Sequence, residues 1–147
     1  MESNIKIFAV EDDPTYKKFL AYILGLNPDF EVKLFSSGQE CIQNLHLKPS
    51  IIALDYSLPD MSGEEVLNRI KKFDPSTQVI IVSAQENVGT AVQLLKSGAY
   101  DYIIKNEDTK DRLLNAINNA RKNISLTEEI HSLRTELSEK YEFENSI

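Results

Sequence analysis

Ile51-Ile52-Ala53-Leu54 is an apolar run that stops on the carboxylate of Asp55, and Tyr56-Ser57-Leu58-Pro59-Asp60-Met61-Ser62-Gly63 leads from it toward Val66, Leu67 and Ile70. A short uninterrupted apolar run between turn residues predicts a strand buried on both faces. The spacing that follows is helical, and Ser62 with Glu65 three residues later forms a capping box that predicts the helix start. The unit is a strand, an acidic tip, a polar loop and a helix.

The same unit recurs on either side. Strands are predicted at Ile5 to Val10, Glu31 to Phe35, Gln78 to Ser83 and Asp101 to Ile104, and Phe19, Ile23 and Leu26 mark a helical face after the first. Asp13 before Pro14 suits an N-cap followed by proline at the first helical position, and Ser37 with Glu40 gives a second capping box. Helix ends are predicted at Gly25 with Asn27-Pro28, at Asp74-Pro75, and at Ser97-Gly98, where glycine can take the left-handed conformation. Five strands alternating with single helices predict an α/β fold, a (βα)5 doubly wound parallel sheet with helices on both faces.

Composition narrows the function. A chain of 147 residues suits one well-buried core with an appendage, and 41% hydrophobic with 27% charged residues is too apolar for a disordered chain. A net charge of −7 opposes direct nucleic-acid binding, which needs a basic surface. Cys41 is the single cysteine, so no internal disulfide forms, and with only His46 and His131 beside it no structural zinc site is expected. The N-terminus runs straight into a strand without a charged-then-apolar leader, and no apolar run nears the roughly 20 residues of a membrane span. A cytoplasmic protein without membrane contact is the expectation.

In an open doubly wound sheet, ligands collect at the carboxyl ends of the strands. The polar residues predicted there are Glu11-Asp12-Asp13 after the first strand, Asp55 after the third, Ser83 at the end of the fourth, and Lys105 after the fifth. Converging carboxylates repel unless a cation offsets them, and hard oxygen ligands suit Mg²⁺. Lys105 adds fixed positive charge and Ser83 a short hydroxyl donor, which together outline an oxyanion pocket. A carboxylate in that pocket can attack an activated phosphorus and form an acyl phosphate, and Asp55 is the central candidate. Each residue alone has a plainer reading: Asp12 and Asp13 can cap a helix, and Asp55 can be the polar stop of a strand. Their arrival at one sheet edge carries the argument.

With these residues in place, the chain from about Asn4 to Asn123 resembles the receiver domains of bacterial two-component response regulators. The matching elements are the acidic pair Asp12 and Asp13, the segment Leu54 to Gly63 around Asp55, the hydroxyl position Ser83-Ala84, and Lys105 preceded three residues earlier by Tyr102. The resemblance implies a flavodoxin-like strand order 2-1-3-4-5 and phosphoryl transfer to Asp55 from the phosphohistidine of a partner histidine kinase. It also implies Mg²⁺ held by Asp12 or Asp13, Asp55 and the carbonyl of Ser57. Enzymatic activity would be limited to self-phosphorylation and self-dephosphorylation. A switch is implied as well, in which Ser83 moves inward, Lys105 pairs with the phosphoryl group and Tyr102 repacks, changing the face of the fourth helix and fifth strand. Two positions depart from the family pattern: Asn106 stands where proline commonly follows the lysine, and Glu107-Asp108 makes the next turn acidic. A cis Lys105-Asn106 bond without proline would cost about 3 kcal/mol, so either the site supports that strain or the loop differs. Ser57 and Gln85, which flank the pocket in this family, are uncharged here.

A helix is predicted from about Lys110 to Lys122, followed by Leu126, Ile130, Leu133 and Leu137 at coiled-coil spacing. Ser125 with Glu128 reads as another capping box, and the seam is offset by two from the Leu113, Ile117, Ala120, Ile124 series, so the helix breaks or shifts face there. Residues 1–123 are thus expected to form the receiver and 124–147 an amphipathic linker that dimerises through its apolar stripe. Leu133 to Leu137 and Tyr141 to Asn145 are similar to the linker of NtrC-like activators of sigma-54 polymerase, which implies an output module controlling transcription. No phosphate-cradling GxxxxGK[ST] loop is present. Two other readings compete: a haloacid-dehalogenase-type phosphatase, which wants an acid two residues after the nucleophile where this chain has Ser57, and a degenerate receiver acting only as a dimerisation scaffold.

Overall fold

The computed structural model describes residues 4–145, so the outermost ends of the two expected segments, residues 1–3 and 146–147, lie outside it. Five strands form one parallel sheet: β1 (Ile5–Val10), β2 (Phe30–Phe35), β3 (Ile51–Asp55), β4 (Gln78–Ser83) and β5 (Asp101–Ile104). Their order is β2-β1-β3-β4-β5, the flavodoxin-like arrangement. The helices between and after them are α1 (Pro14–Gly25), α2 (Gly38–Gln43), α3 (Gly63–Phe73), α4 (Val88–Lys96) and α5 (Thr109–Asn145), with a 3-10 turn at Leu45–Leu47.

Alternation along the strands divides the core. Ile7 and Ala9 of β1, Ile51 and Ala53 of β3, and Ile80 and Val82 of β4 pack against Leu20, Ile23 and Leu24 of α1 and Leu113, Ile117 and Ala120 of α5. Phe8, Val10, Ile52, Leu54, Val79 and Ile81 face the other way, against Cys41 of α2, Val66, Leu67 and Ile70 of α3 and Leu94 of α4. Both faces are covered, so the central strands carry no polar alternation until their carboxyl tips. The polar tips Asp55 and Ser83 are buried all the same.

The predicted caps form. Asp13 accepts a hydrogen bond from the Tyr16 N–H, Ser37 from the Glu40 N–H and Ser62 from the Glu65 N–H. Gly98 has φ 110°, the left-handed geometry expected after α4.

At the end of the chain the helix shifts face and does not break. α5 runs unbroken over 37 residues from Thr109 to Asn145, and no glycine or proline occurs within it. Ser125 lies in mid-helix, so the Ser125–Glu128 pattern caps nothing: without a breaker, the backbone N–H groups keep their partners one turn earlier. Leu113, Ala116, Ile117 and Ala120 are buried, whereas Leu126, Ile130, Leu133 and Leu137 are exposed. At 3.6 residues per turn the two stripes point about 120° apart around the helix, so the exposed seam faces away from the sheet. None of the described helices is long and apolar enough to cross a membrane.

Candidate functional site

The carboxyl ends of β1, β3, β4 and β5 meet at one edge of the sheet, and the backbone sets their relative height. Asp55 lies opposite Val82 in the β3–β4 ladder, and Ser83 lies opposite Ile104 in the β4–β5 ladder. The Lys105 N–H donates to the Ser83 carbonyl at 2.7 Å, extending the pairing one residue past β5. Glu11 similarly continues β1, its N–H donating to the Phe35 carbonyl at 2.9 Å. Continuing the strand turns the Glu11 side chain inward, where it is 1% exposed.

The Lys105 ammonium joins these tips. Its Nζ lies 2.6 Å from Glu11 Oε1 and 3.4 Å from Asp55 Oδ1. It also sits over the Tyr16 ring, 4.3 Å from the ring centre. Burial, then the neighbouring Glu11 carboxylate, push the Asp55 carboxyl up to about 6, against the pull of Lys105. Burial lowers the Lys105 ammonium, but the hydrogen bond to Glu11 and the charge on Asp55 outweigh it and leave Lys105 above its ordinary value. Burial likewise raises the Tyr16 phenol.

Glu11, Asp12 and Asp55 each offer a carboxylate oxygen within 4.8 Å of the others. Asp12 is exposed while Glu11 and Asp55 are buried. Three hard oxygen donors, one open to solvent, fit a small divalent cation that keeps part of its water shell, as Mg²⁺ does. Asp13 is not in this group: its carboxylate is 3.2 Å from the Tyr16 N–H and caps α1. The carboxylates brought together are thus Glu11 and Asp12 with Asp55, while Asp13, expected beside Asp12, lies at the start of α1. Glu11 belongs to this group, and the signal that would have found it is the alternation of β1, in which Glu11 is the next residue on the face of Ile7 and Ala9.

The loop from β3 to α3 is held at both ends. The Ser57 N–H approaches Asp55 Oδ1 at 3.4 Å, Ser57 bridges Ser62, and the Gly63 N–H donates to the Tyr56 carbonyl at 2.8 Å. Asp60 accepts from the Gly38 and Gln39 N–H groups at 3.0 and 2.8 Å, tying the loop to the start of α2. A Cβ at Gly63 would meet the Tyr56 Cα at 2.8 Å, so the backbone beside Asp55 would have to move. Gly63→Ala is expected to lower stability by about 1–3 kcal/mol and to weaken magnesium binding, read from urea unfolding and a magnesium titration. Unchanged values in both would show that the loop absorbs a methyl group freely.

Ser83 and Tyr102 meet the same neighbour. The Ser83 hydroxyl accepts from the Gln85 N–H at 3.0 Å, and the Tyr102 hydroxyl donates to the Gln85 carbonyl at 2.8 Å. The described residues contain no cis peptide bond, so the Lys105-Asn106 bond is trans. The loop differs from the proline-containing pattern and is fastened by its own side chains. The Asn106 N–H donates to Thr109 Oγ1 and the Asp108 N–H to Asn106 Oδ1, both at 2.8 Å.

Residues 7–118 match the family described as the response regulator receiver domain. The luminescence regulatory protein LuxO of Vibrio campbellii is 35% identical over 103 residues, which are 69% of this chain and 22% of that protein. The chain thus spans about a fifth of the length of that curated relative. Among solved structures, the signal receiver domain of a LuxO repressor protein from Vibrio parahaemolyticus superposes with a TM-score of 0.80 at 32% identity, covering 86% of this chain and 97% of that one. NtrX from Brucella abortus superposes with a TM-score of 0.79 at 28% identity, covering 88% of this chain and 30% of its own.

Proposed function

The chain belongs to the response regulator receiver domain family, and from that premise we propose that Asp55 takes a phosphoryl group from the phosphohistidine of a partner kinase. The observation that carries this is the Lys105 ammonium, 3.4 Å from Asp55 and beside a group of three carboxylates. The Asp55 carboxylate attacks phosphorus, a P–O bond forms as the P–N bond to histidine breaks, and the electron pair returns to the imidazole. Lys105 faces the negative charge on the transferring oxygens, and the Ser83 hydroxyl turns from Gln85 to donate to one of them. A magnesium ion held by Asp12, Asp55 and the Ser57 carbonyl, with Glu11 alongside, would supply further positive charge to the same oxygens. Asp13 serves in this reading as the cap that holds α1 in place.

Phosphorylation would then act through Gln85. Its N–H is held by Ser83 and its carbonyl by Tyr102, so drawing Ser83 inward releases one end of a link whose other end is the Tyr102 ring. The face of α4 and β5 takes a second packing, and that face is the output. Residues 1–123 act as the receiver and 124–147 as a linker to an output module, in a cytoplasmic protein that controls transcription. With net charge −7, this part of the protein leaves nucleic-acid contact to the output module.

Intact-mass measurement after incubation with Mg²⁺ and acetyl phosphate tests the central reading. A single phosphoryl adduct that is absent from Asp55→Asn is expected. A chain that gains no adduct, and shows no magnesium binding dependent on Asp12, would instead be a dimerisation scaffold that never takes phosphate.

The exposed seam of α5 supports a homodimer, because Leu126, Ile130, Leu133 and Leu137 are each about half or more exposed on a helix too thin to own a core. Sedimentation is expected to give a dimer for the natural chain and a monomer for the double variant Ile130→Lys with Leu133→Lys. Equal masses for the two would end the dimer reading.

A further inference from the structure

Lys105 reaches the site from a loop without the rigid proline ring, on a flexible four-carbon stem. Its two acidic partners, Glu11 and Asp55, belong to the same group that would take a divalent cation. When that cation and a phosphoryl group arrive, both partners change what they offer the ammonium. The Tyr16 ring is a contact that keeps its character throughout, with the ammonium 4.3 Å from its centre, inside the range where a ring face attracts a cation.

We propose that Tyr16 is a positioning residue for phosphoryl transfer, its ring face seating the Lys105 ammonium so that it stays aimed at the oxygens on Asp55. The proposal rests on the phosphoryl-accepting reading of Asp55. The ring is itself well fixed. Its backbone N–H is the one capped by Asp13, it stacks at a tilt on Phe19 with ring centres 5.2 Å apart, and it packs against the inner core of α1 and α5. Its buried hydroxyl comes near the Thr109 side chain without a hydrogen bond of normal geometry, whereas the ring face meets the Lys105 ammonium directly, so the ring is the part assigned the positioning role. Phenylalanine should therefore serve as well as tyrosine, and a leucine of similar bulk should not.

The test compares the natural chain with Tyr16→Phe and Tyr16→Leu by two readouts. The first is the NMR shift of the Lys105 ε-methylene protons, which a ring face moves upfield of the other lysines. The second is affinity for beryllium fluoride in the presence of magnesium, where the fluoride complex stands in for the phosphoryl group on Asp55. Tyr16→Leu is expected to lose the upfield shift and to bind beryllium fluoride about 2- to 30-fold more weakly, with affinity for magnesium alone unchanged. Tyr16→Phe is expected to keep both properties. A leucine variant that binds beryllium fluoride like the natural chain, a phenylalanine variant that does not, or an ordinary Lys105 shift in the natural chain would each overturn the proposal. If the natural chain itself binds no beryllium fluoride, the phosphoryl reading fails, and the Lys105 shift in the three proteins still decides whether Tyr16 seats the ammonium.

Discussion

Asp55→Asn is expected to be more stable than the natural chain at neutral pH, by on the order of 1–3 kcal/mol, while losing all phosphoryl uptake. The gain comes from charge. Asp55 is raised from 3.8 to about 6 by burial and by Glu11, which means that the fold disfavours its ionised form. A carboxyl raised in the folded state binds its proton more tightly there than in the unfolded chain, so folding becomes costlier as pH rises between those two values. The penalty is full above about 6, starts to lift as pH falls through 6, and is gone below 3.8. Asparagine keeps the shape without the charge. Thermal unfolding of the two proteins from pH 7.5 down to pH 3.5 should therefore show curves that converge in acid, these pH limits being chosen to bracket about 6 and 3.8. Saturating magnesium should narrow the gap at neutral pH, since the cation favours the ionised acid. A natural chain at least as stable as Asp55→Asn at neutral pH without magnesium would show that Lys105 already compensates the charge.

Lys105→Met should produce the opposite change. The Glu11 and Asp55 side chains are 1% and 7% exposed, and the lysine is the cation that offsets both. Methionine fills a similar volume but leaves two buried carboxylates facing each other, a loss on the order of 3–5 kcal/mol. Because the Lys105 ammonium is raised by its partners, its contribution is fully present at neutral pH and is lost only as pH rises past the ordinary lysine range. Urea unfolding in EDTA should show the deficit, and added magnesium should restore part of it by taking over the charge. Phosphoryl uptake in the variant should fall by about 10²-fold or more, as expected for removing a donor aimed at developing negative charge. A variant as stable as the natural chain in EDTA would mean that the two acids are neutral or solvated in the fold.

The strands were legible because both faces of the sheet are covered. Buried runs such as Ile51 to Leu54 and Gln78 to Ser83 stand out when no polar alternation interrupts them, and β2 and β3 each extend only one residue beyond the sequence reading. Caps were legible for a local reason, since Asp13, Ser37 and Ser62 each satisfy a backbone N–H three residues away. Glu11 was less so. Three consecutive acids precede Pro14, and choosing among them requires knowing that β1 pairing continues to the Glu11 N–H while Asp13 has already turned into the cap. The joint near Ser125 stayed open between a break and a shift of face for a similar reason: a capping pattern is meaningful only where a helix begins, and α5 never stops. The trans Lys105-Asn106 bond could not be read from the sequence, because it depends on how Asn106 and Thr109 fasten the loop.

The unbroken course of α5 gives the molecule a lever. Its first residue, Thr109, is buried and bonded to the loop that carries Lys105, and Ala120 is its last buried residue. Beyond that fulcrum about 38 Å of helix runs on to Asn145, at about 1.5 Å per residue. A pivot of about 5° at the sheet would carry the far tip through an arc of about 3 Å, so sub-ångström adjustments around the ammonium would arrive at the end of the rod enlarged to atomic dimensions.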